Sequence, residues 1–169
     1  MKIKLKKLAL FTEIIGGIAI LVSLIIVIIQ LRENTRATRS ATATAIIGTM
    51  TDWYVTVGSD SETSQSFYRF LTNPESISKE EQLQHILSLH GQFLTFQNSY
   101  YLSLEGTLDK RIPESLNQII AGVKDQPGFL VFWNARKSIF FKEYRDYVDG
   151  IIKSDQKASE GIFEKKDAE

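Results

Sequence analysis

Polar and apolar positions divide the chain into one uninterrupted apolar stretch followed by a series of helical stripes. The stretch is Leu8 to Leu31, LALFTEIIGGIAILVSLIIVIIQL. Its only charge is Glu13, and nothing from Ile14 to Ile29 is more polar than Ser23. At about 1.5 Å rise per residue, the uncharged part from Ile14 to Leu31 spans roughly 27 Å and the whole stretch roughly 36 Å, enough to cross a hydrocarbon core of about 30 Å. The pattern predicts a transmembrane helix. The run exceeds the apolar core of a signal peptide, about 7–15 residues. The small-residue sites Ala41-Thr42-Ala43 and Ala43-Thr44-Ala45 lie beyond Arg32, Arg36 and Arg39. A retained anchor is therefore expected over a cleaved leader. A buried helix apolar on every side would need a large protein around it.

From Arg32 to about Val57 the only helix breaker is Gly48, so the helix is expected to continue as a stalk. Leu31, Thr35, Thr38, Thr42, Ala45, Ile46, Met50, Trp53 and Val57 recur at three- and four-residue steps, the spacing of one helix face. Gly58-Ser59-Asp60-Ser61 reads as a break and a new start, and Asn73-Pro74 closes the short helix carrying Phe67, Tyr68, Phe70 and Leu71. Ser78 with Glu81 three residues on is a capping box opening a long helix. Its inward line is read as Leu83, Ile86, Leu87, His90, Phe93, Leu94, Gln97, Tyr100, Tyr101 and Leu104. A further helix over about Pro113 to Val123 buries Ile112, Leu116, Ile119, Ile120 and Val123. After the Pro127-Gly128 turn, a last helix uses Leu130, Trp133, Phe140, Tyr144, Tyr147, Val148 and Ile151. No alternating strand or hairpin signal appears. The expected fold is all-α: a transmembrane helix continuing into a stalk helix, then a small antiparallel helical bundle. The segments are a basic tail over 1–7, the span over 8–31, the stalk over 32–58, the bundle over 59–153, and a disordered polar tail over 154–169.

Within the span, Gly16, Ala19, Ser23 and Gln30 fall on one side of the helix. Small residues let helix backbones approach closely, and Ser or Gln can hydrogen-bond a partner in hydrocarbon. These residues are the expected packing face for self-association, set against the plain fact that small residues are common in such helices. Arg32, Arg36 and Arg39 share a second face and read as a collar touching anionic headgroups, worth about 1 kcal/mol per charge.

Charge and chemistry add mostly exclusions. Lys and Arg balance Asp and Glu at 20 each, but Lys2, Lys4, Lys6 and Lys7 precede the span, so the remainder is mildly acidic. A soluble part of that charge argues against a nucleic-acid partner. The chain has no cysteine, which removes disulfides, thiol catalysis and thiolate metal sites. His85 and His90 are five apart and do not share a face as paired metal ligands would. His90 with Gln97 is expected as a hydrogen-bonded core pair, with a proton-linked switch as the sharper alternative. The spacing of Glu143 and Asp146 lacks the histidine of a di-iron bundle. No nucleophile elbow or phosphate-cradling loop is present in the sequence. Aromatic residues exceed what one face needs, and Phe140 and Phe141 cannot point along one line. A thick core is expected, with packing between subunits or against the bilayer as the alternative.

Three stretches carry a resemblance. They are Glu13-Ile14-Ile15-Gly16 leading to Gln30-Leu31-Arg32-Glu33-Asn34-Thr35-Arg36-Ala37; Gln97-Asn98-Ser99-Tyr100-Tyr101 followed by Gly106-Thr107-Leu108-Asp109; and Gln126-Pro127-Gly128 followed by Trp133 and Phe140-Phe141. In these the chain resembles a group of uncharacterised bacterial single-pass membrane proteins. The resemblance implies a membrane-anchored helical domain with no assigned activity, the short amino terminus outside and the domain cytoplasmic. The lysine-rich start departs from that pattern, and four lysines before the span against three arginines after it lean slightly the other way.

The functional expectation is a bacterial inner-membrane protein acting as a non-catalytic scaffold or interaction module. Its partners are the lipid bilayer, further copies of itself and another membrane or soluble protein, with no cofactor or metal. The alternative is an oligomeric channel or sensor whose transmembrane helices line a pore.

Overall fold

The structure, a computed structural model, describes residues 2–156, with side-chain surroundings from Leu10 onward. The residues described are almost entirely helical, without strands. The chain falls into two compact units, Met1–Ala41 and Thr42–Glu169. The first helix, α1 (Lys2–Gly58), supplies residues to both. From Leu10 to Ala41 every residue of the first unit is exposed. The apolar stretch there is long enough and apolar enough to cross a membrane, and none of it is buried in the chain.

The second unit begins inside the segment expected to be a stalk. From Thr42 onward α1 belongs to the domain: Ile46 and Met50 are buried, and Trp53 packs against the core. The helix ends at Gly58, where the sequence predicts the break. Asp60 then caps α2 (Ser61–Thr72), accepting from the Thr63 amide at 2.7 Å. That hydrogen bond holds the Asp60 carboxyl below its ordinary pKa. A 3-10 turn, Pro74–Ser76, leads to α3 (Lys79–Leu104). The capping box is present: the Glu81 amide donates to Ser78 Oγ at 3.1 Å, and the Ser78 amide donates to Glu81 Oε2 at 2.8 Å. α3 ends where Gly106 takes a positive φ of 70°, a conformation that favours glycine.

α4 (Arg111–Val123) buries Leu116 and Ile120 as expected. The single last helix of the sequence reading is instead two: α5 (Pro127–Arg136) and α6 (Lys142–Lys153), separated by a 3-10 turn at Lys137–Ile139. No glycine or proline marks this break. It follows from packing: Phe140 turns inward to stack on Trp133, ring centroids 5.6 Å apart, while Phe141 remains 60% exposed. The two adjacent rings do point opposite ways. Phe93 stands at the centre, with Phe96, Phe129, Phe132, Trp133 and Phe140 around it at 4.9 to 6.2 Å. The expected tail over 154–169 lies, from residue 157, outside the described residues.

Candidate functional site

The residues expected to pack in the membrane, Gly16, Ala19, Ser23 and Gln30, lie exposed on α1 in the first unit. A Cβ added at Gly16 would meet nothing within 4 Å. Arg32, Arg36 and Arg39 are exposed on the same helix and, with Leu31 and Thr35, border a shallow surface depression.

α3 departs most from the sequence reading. Its buried line is Gln82, His85, Leu89, Phe93, Phe96 and Ser99. Of the line read as inward, Leu83, Leu87 and Leu94 are 52%, 51% and 45% exposed, and Leu104 is exposed as well. The helix is apolar on two sides, and the large rings Phe93 and Phe96 decide which side enters the core. Gln82 enters with them because its amide donates to the carbonyl of Pro74 at 2.8 Å, tying the 3-10 turn to α3. Leu83, Leu87 and Leu94 then form an outward stripe at four- and seven-residue steps, the spacing of a helix-pairing seam.

The expected His90–Gln97 pair is not formed. Gln97 Oε1 accepts from the Phe141 amide at 2.9 Å, and His90 lies against Phe140 at 5.1 Å with its Nδ1 buried and without a partner. The more buried imidazole is His85, 8% exposed. Burial pushes its pKa down, the Glu81 charge opposing. Burial likewise lowers His90, helped by the charge of Arg136.

His85 Nε2 lies 2.9 Å from Ser66 Oγ, which in turn lies 3.5 Å from Glu81 Oε1. This brings a serine, a histidine and a glutamate together, but not as a hydrolytic triad. In a triad the carboxylate holds the imidazole and leaves the hydroxyl for substrate. Here the carboxylate bonds the hydroxyl itself and its other oxygen is committed to the helix cap. The cluster ties α2 to α3. Among the described residues, no three His, Asp or Glu side chains gather as a metal set.

The second unit also encloses an apolar cavity of about 430 Å³. Its floor is Leu71, Phe93, Phe96, Ile120 and Phe129, all buried. Its mouth lies between α1, which brings Tyr54, and α4, which brings Ser115 and Gln118, all three exposed. Trp53 lines the wall and donates its indole N–H to Ser88 Oγ at 2.9 Å. Among the described residues, no charged side chain lines this cavity. The sequence reading missed it, because it is a shortfall of volume between helices, whereas periodicity reports only which side of each helix is apolar.

Compared with known proteins, the chain matches no family model, no curated protein and no solved structure.

Proposed function

We propose that this protein is a membrane-anchored, non-catalytic interaction module that assembles with copies of itself. The anchor is the apolar stretch of α1, in the inner membrane that the bacterial resemblance implies, with Arg32, Arg36 and Arg39 at the headgroups and Gly16, Ala19, Ser23 and Gln30 as the packing face. The observation that carries the reading is the outward stripe of Leu83, Leu87 and Leu94 on a helix that already buries its other side. A leucine seam at heptad spacing is self-complementary, and burying one such side chain against a partner gains about 1.5–3 kcal/mol.

The test is the subunit count of the full chain in mild detergent by native mass spectrometry. The reading expects a discrete oligomer, reduced in size when Leu83, Leu87 and Leu94 are replaced together by Gln. A wild-type monomer overturns self-assembly and leaves an anchored domain that must engage a different protein. An oligomer unchanged by the leucine replacements but dissolved by Gly16→Leu with Ala19→Leu moves association into the membrane. Ion flux in liposomes then tests the pore alternative.

A further inference from the structure

We propose that the cavity between α1 and α4 is a binding site for one neutral, largely aromatic small molecule carrying a single uncharged polar group. The cavity includes none of the leucines of the α3 stripe, and the inference does not depend on self-assembly. Three observations lead to it.

The first is size. An apolar cavity of about 150 Å³ stays dry and accepts benzene. By that scale, a volume of 430 Å³ suits about three fused rings, and it falls within the usual range for ligand sites, about 300–1,000 Å³. An aromatic occupant would gain dispersion contacts with these apolar walls.

The second is the lining. Trp53, Phe67, Phe93, Phe96 and Phe129 present ring edges and faces, which favour another aromatic ring by offset or edge-to-face contact. Met50 at the wall adapts to irregular shapes.

The third is the absence of charge together with the placing of the polar groups. A carboxylate or ammonium drawn inside would lose its hydration with no counter-charge to meet it. The polar side chains are Gln92 within, its Oε1 buried and without a partner, and Tyr54, Ser115 and Gln118 at the exposed mouth. A hydroxyl or amide N–H on the ligand therefore donates to Gln92 Oε1 inside or bonds Tyr54, Ser115 or Gln118 at the mouth, while the rings lie on the phenylalanine floor.

The test uses the full chain in lipid nanodiscs, with hydroxyphenanthrene as probe and two comparison compounds: phenanthrene carboxylate and tetradecanol. Quenching of tryptophan fluorescence is read against the Trp53→Phe variant, which removes the reporter from the cavity wall and leaves Trp133. The expected result is saturable quenching by hydroxyphenanthrene, at least about tenfold weaker binding of the carboxylate, and loss of binding in Ile119→Trp, whose indole fills the space. Should Ile119→Trp fail to fold by circular dichroism, Val123→Phe serves as the smaller obstruction. Equal binding of the carboxylate overturns the neutral site. Quenching that neither obstruction alters places the probe elsewhere and overturns the cavity as its site. Tighter binding of tetradecanol than of hydroxyphenanthrene overturns the aromatic class.

Discussion

Gly128 seats the start of α5 directly on the backbone of Phe70 in α2. A Cβ built at Gly128 would run into the Phe70 carbonyl and come within 2.9 Å of Leu71 Cα, so the two helices meet backbone to backbone. Phe70 and Leu71 are buried at this junction. Neither neighbour is the movable end of a side chain. Gly128→Ala therefore forces α5 away from α2 and should cost about 3 kcal/mol, the upper part of the range for overpacking. Urea denaturation followed by tryptophan fluorescence measures it; a loss below about 1 kcal/mol would mean that the contact yields.

Gly91 and Gly150 are the opposite case. Both are exposed within helices, α3 and α6, and an added Cβ at either meets nothing within 4 Å. Alanine there reduces the freedom of the unfolded chain without a clash. Each substitution should raise stability by about 0.5–1 kcal/mol. The contrast with Gly128 separates a backbone-packing glycine from a merely tolerated one by the sign of the change in urea midpoint.

Ser78→Ala removes the acceptor for the Glu81 amide and breaks one arm of the capping box. The expected cost is about 1 kcal/mol. The hydrogen bond from the Ser78 amide is also the leading cause that holds the Glu81 carboxyl below its ordinary pKa. Because that bond uses the backbone of residue 78, the depressed Glu81 value should largely survive in Ser78→Ala. Carbon-detected NMR titration of the Glu81 carboxyl checks this; return to the usual glutamate range would show that the two arms form only together.

These contrasts show what a sequence can and cannot display. The all-α class, the apolar stretch, the Ser78/Glu81 box and the buried line of α4 were legible because each depends on neighbours three or four residues apart. The facing of α3 was not. Leu83, Leu87 and Leu94 compete with Leu89, Phe93 and Phe96 as an inward line, and only packing against α5 decides between them. Gln82 and His85 deepened the error, since both look like surface residues until Pro74 and Ser66 supply their partners. The break between α5 and α6 has no glycine or proline to announce it. The cavity belongs to five elements at once, and no single stretch records it.

His85 sets an expectation for pH. Burial is the main cause lowering its pKa below the ordinary 6.5, with the Glu81 charge pulling the other way. His90 is shifted in the same direction, by burial first and by Arg136 second. A base that is harder to protonate when folded favours unfolding once protons are plentiful. The stability tied to it is whole above the unfolded-state value and is lost as the pH falls through 6.5 toward the lower folded value. Thermal midpoints measured from about pH 7.5 to 5.5 should therefore fall more steeply for the wild type than for His85→Gln. Parallel profiles would remove His85 as the source.

Trp133 is 2% exposed and donates its indole N–H to Asp149 Oδ1 at 2.6 Å, joining α5 to α6 across the break that the sequence does not announce. Asp149→Ala leaves that N–H buried without an acceptor and should cost about 1–3 kcal/mol, whereas Asp149→Asn keeps a carbonyl oxygen in place and should cost less. If the two variants lose equal stability, the negative charge, not the acceptor geometry, holds the helices together. If neither loses stability, the stacking of Trp133 on Phe140 is sufficient by itself. Urea midpoints for the two variants, with near-ultraviolet circular dichroism reporting the tryptophan environment, distinguish the cases. The first outcome, a large loss for Ala and a small one for Asn, follows from a buried donor that must be satisfied wherever the chain turns between α5 and α6.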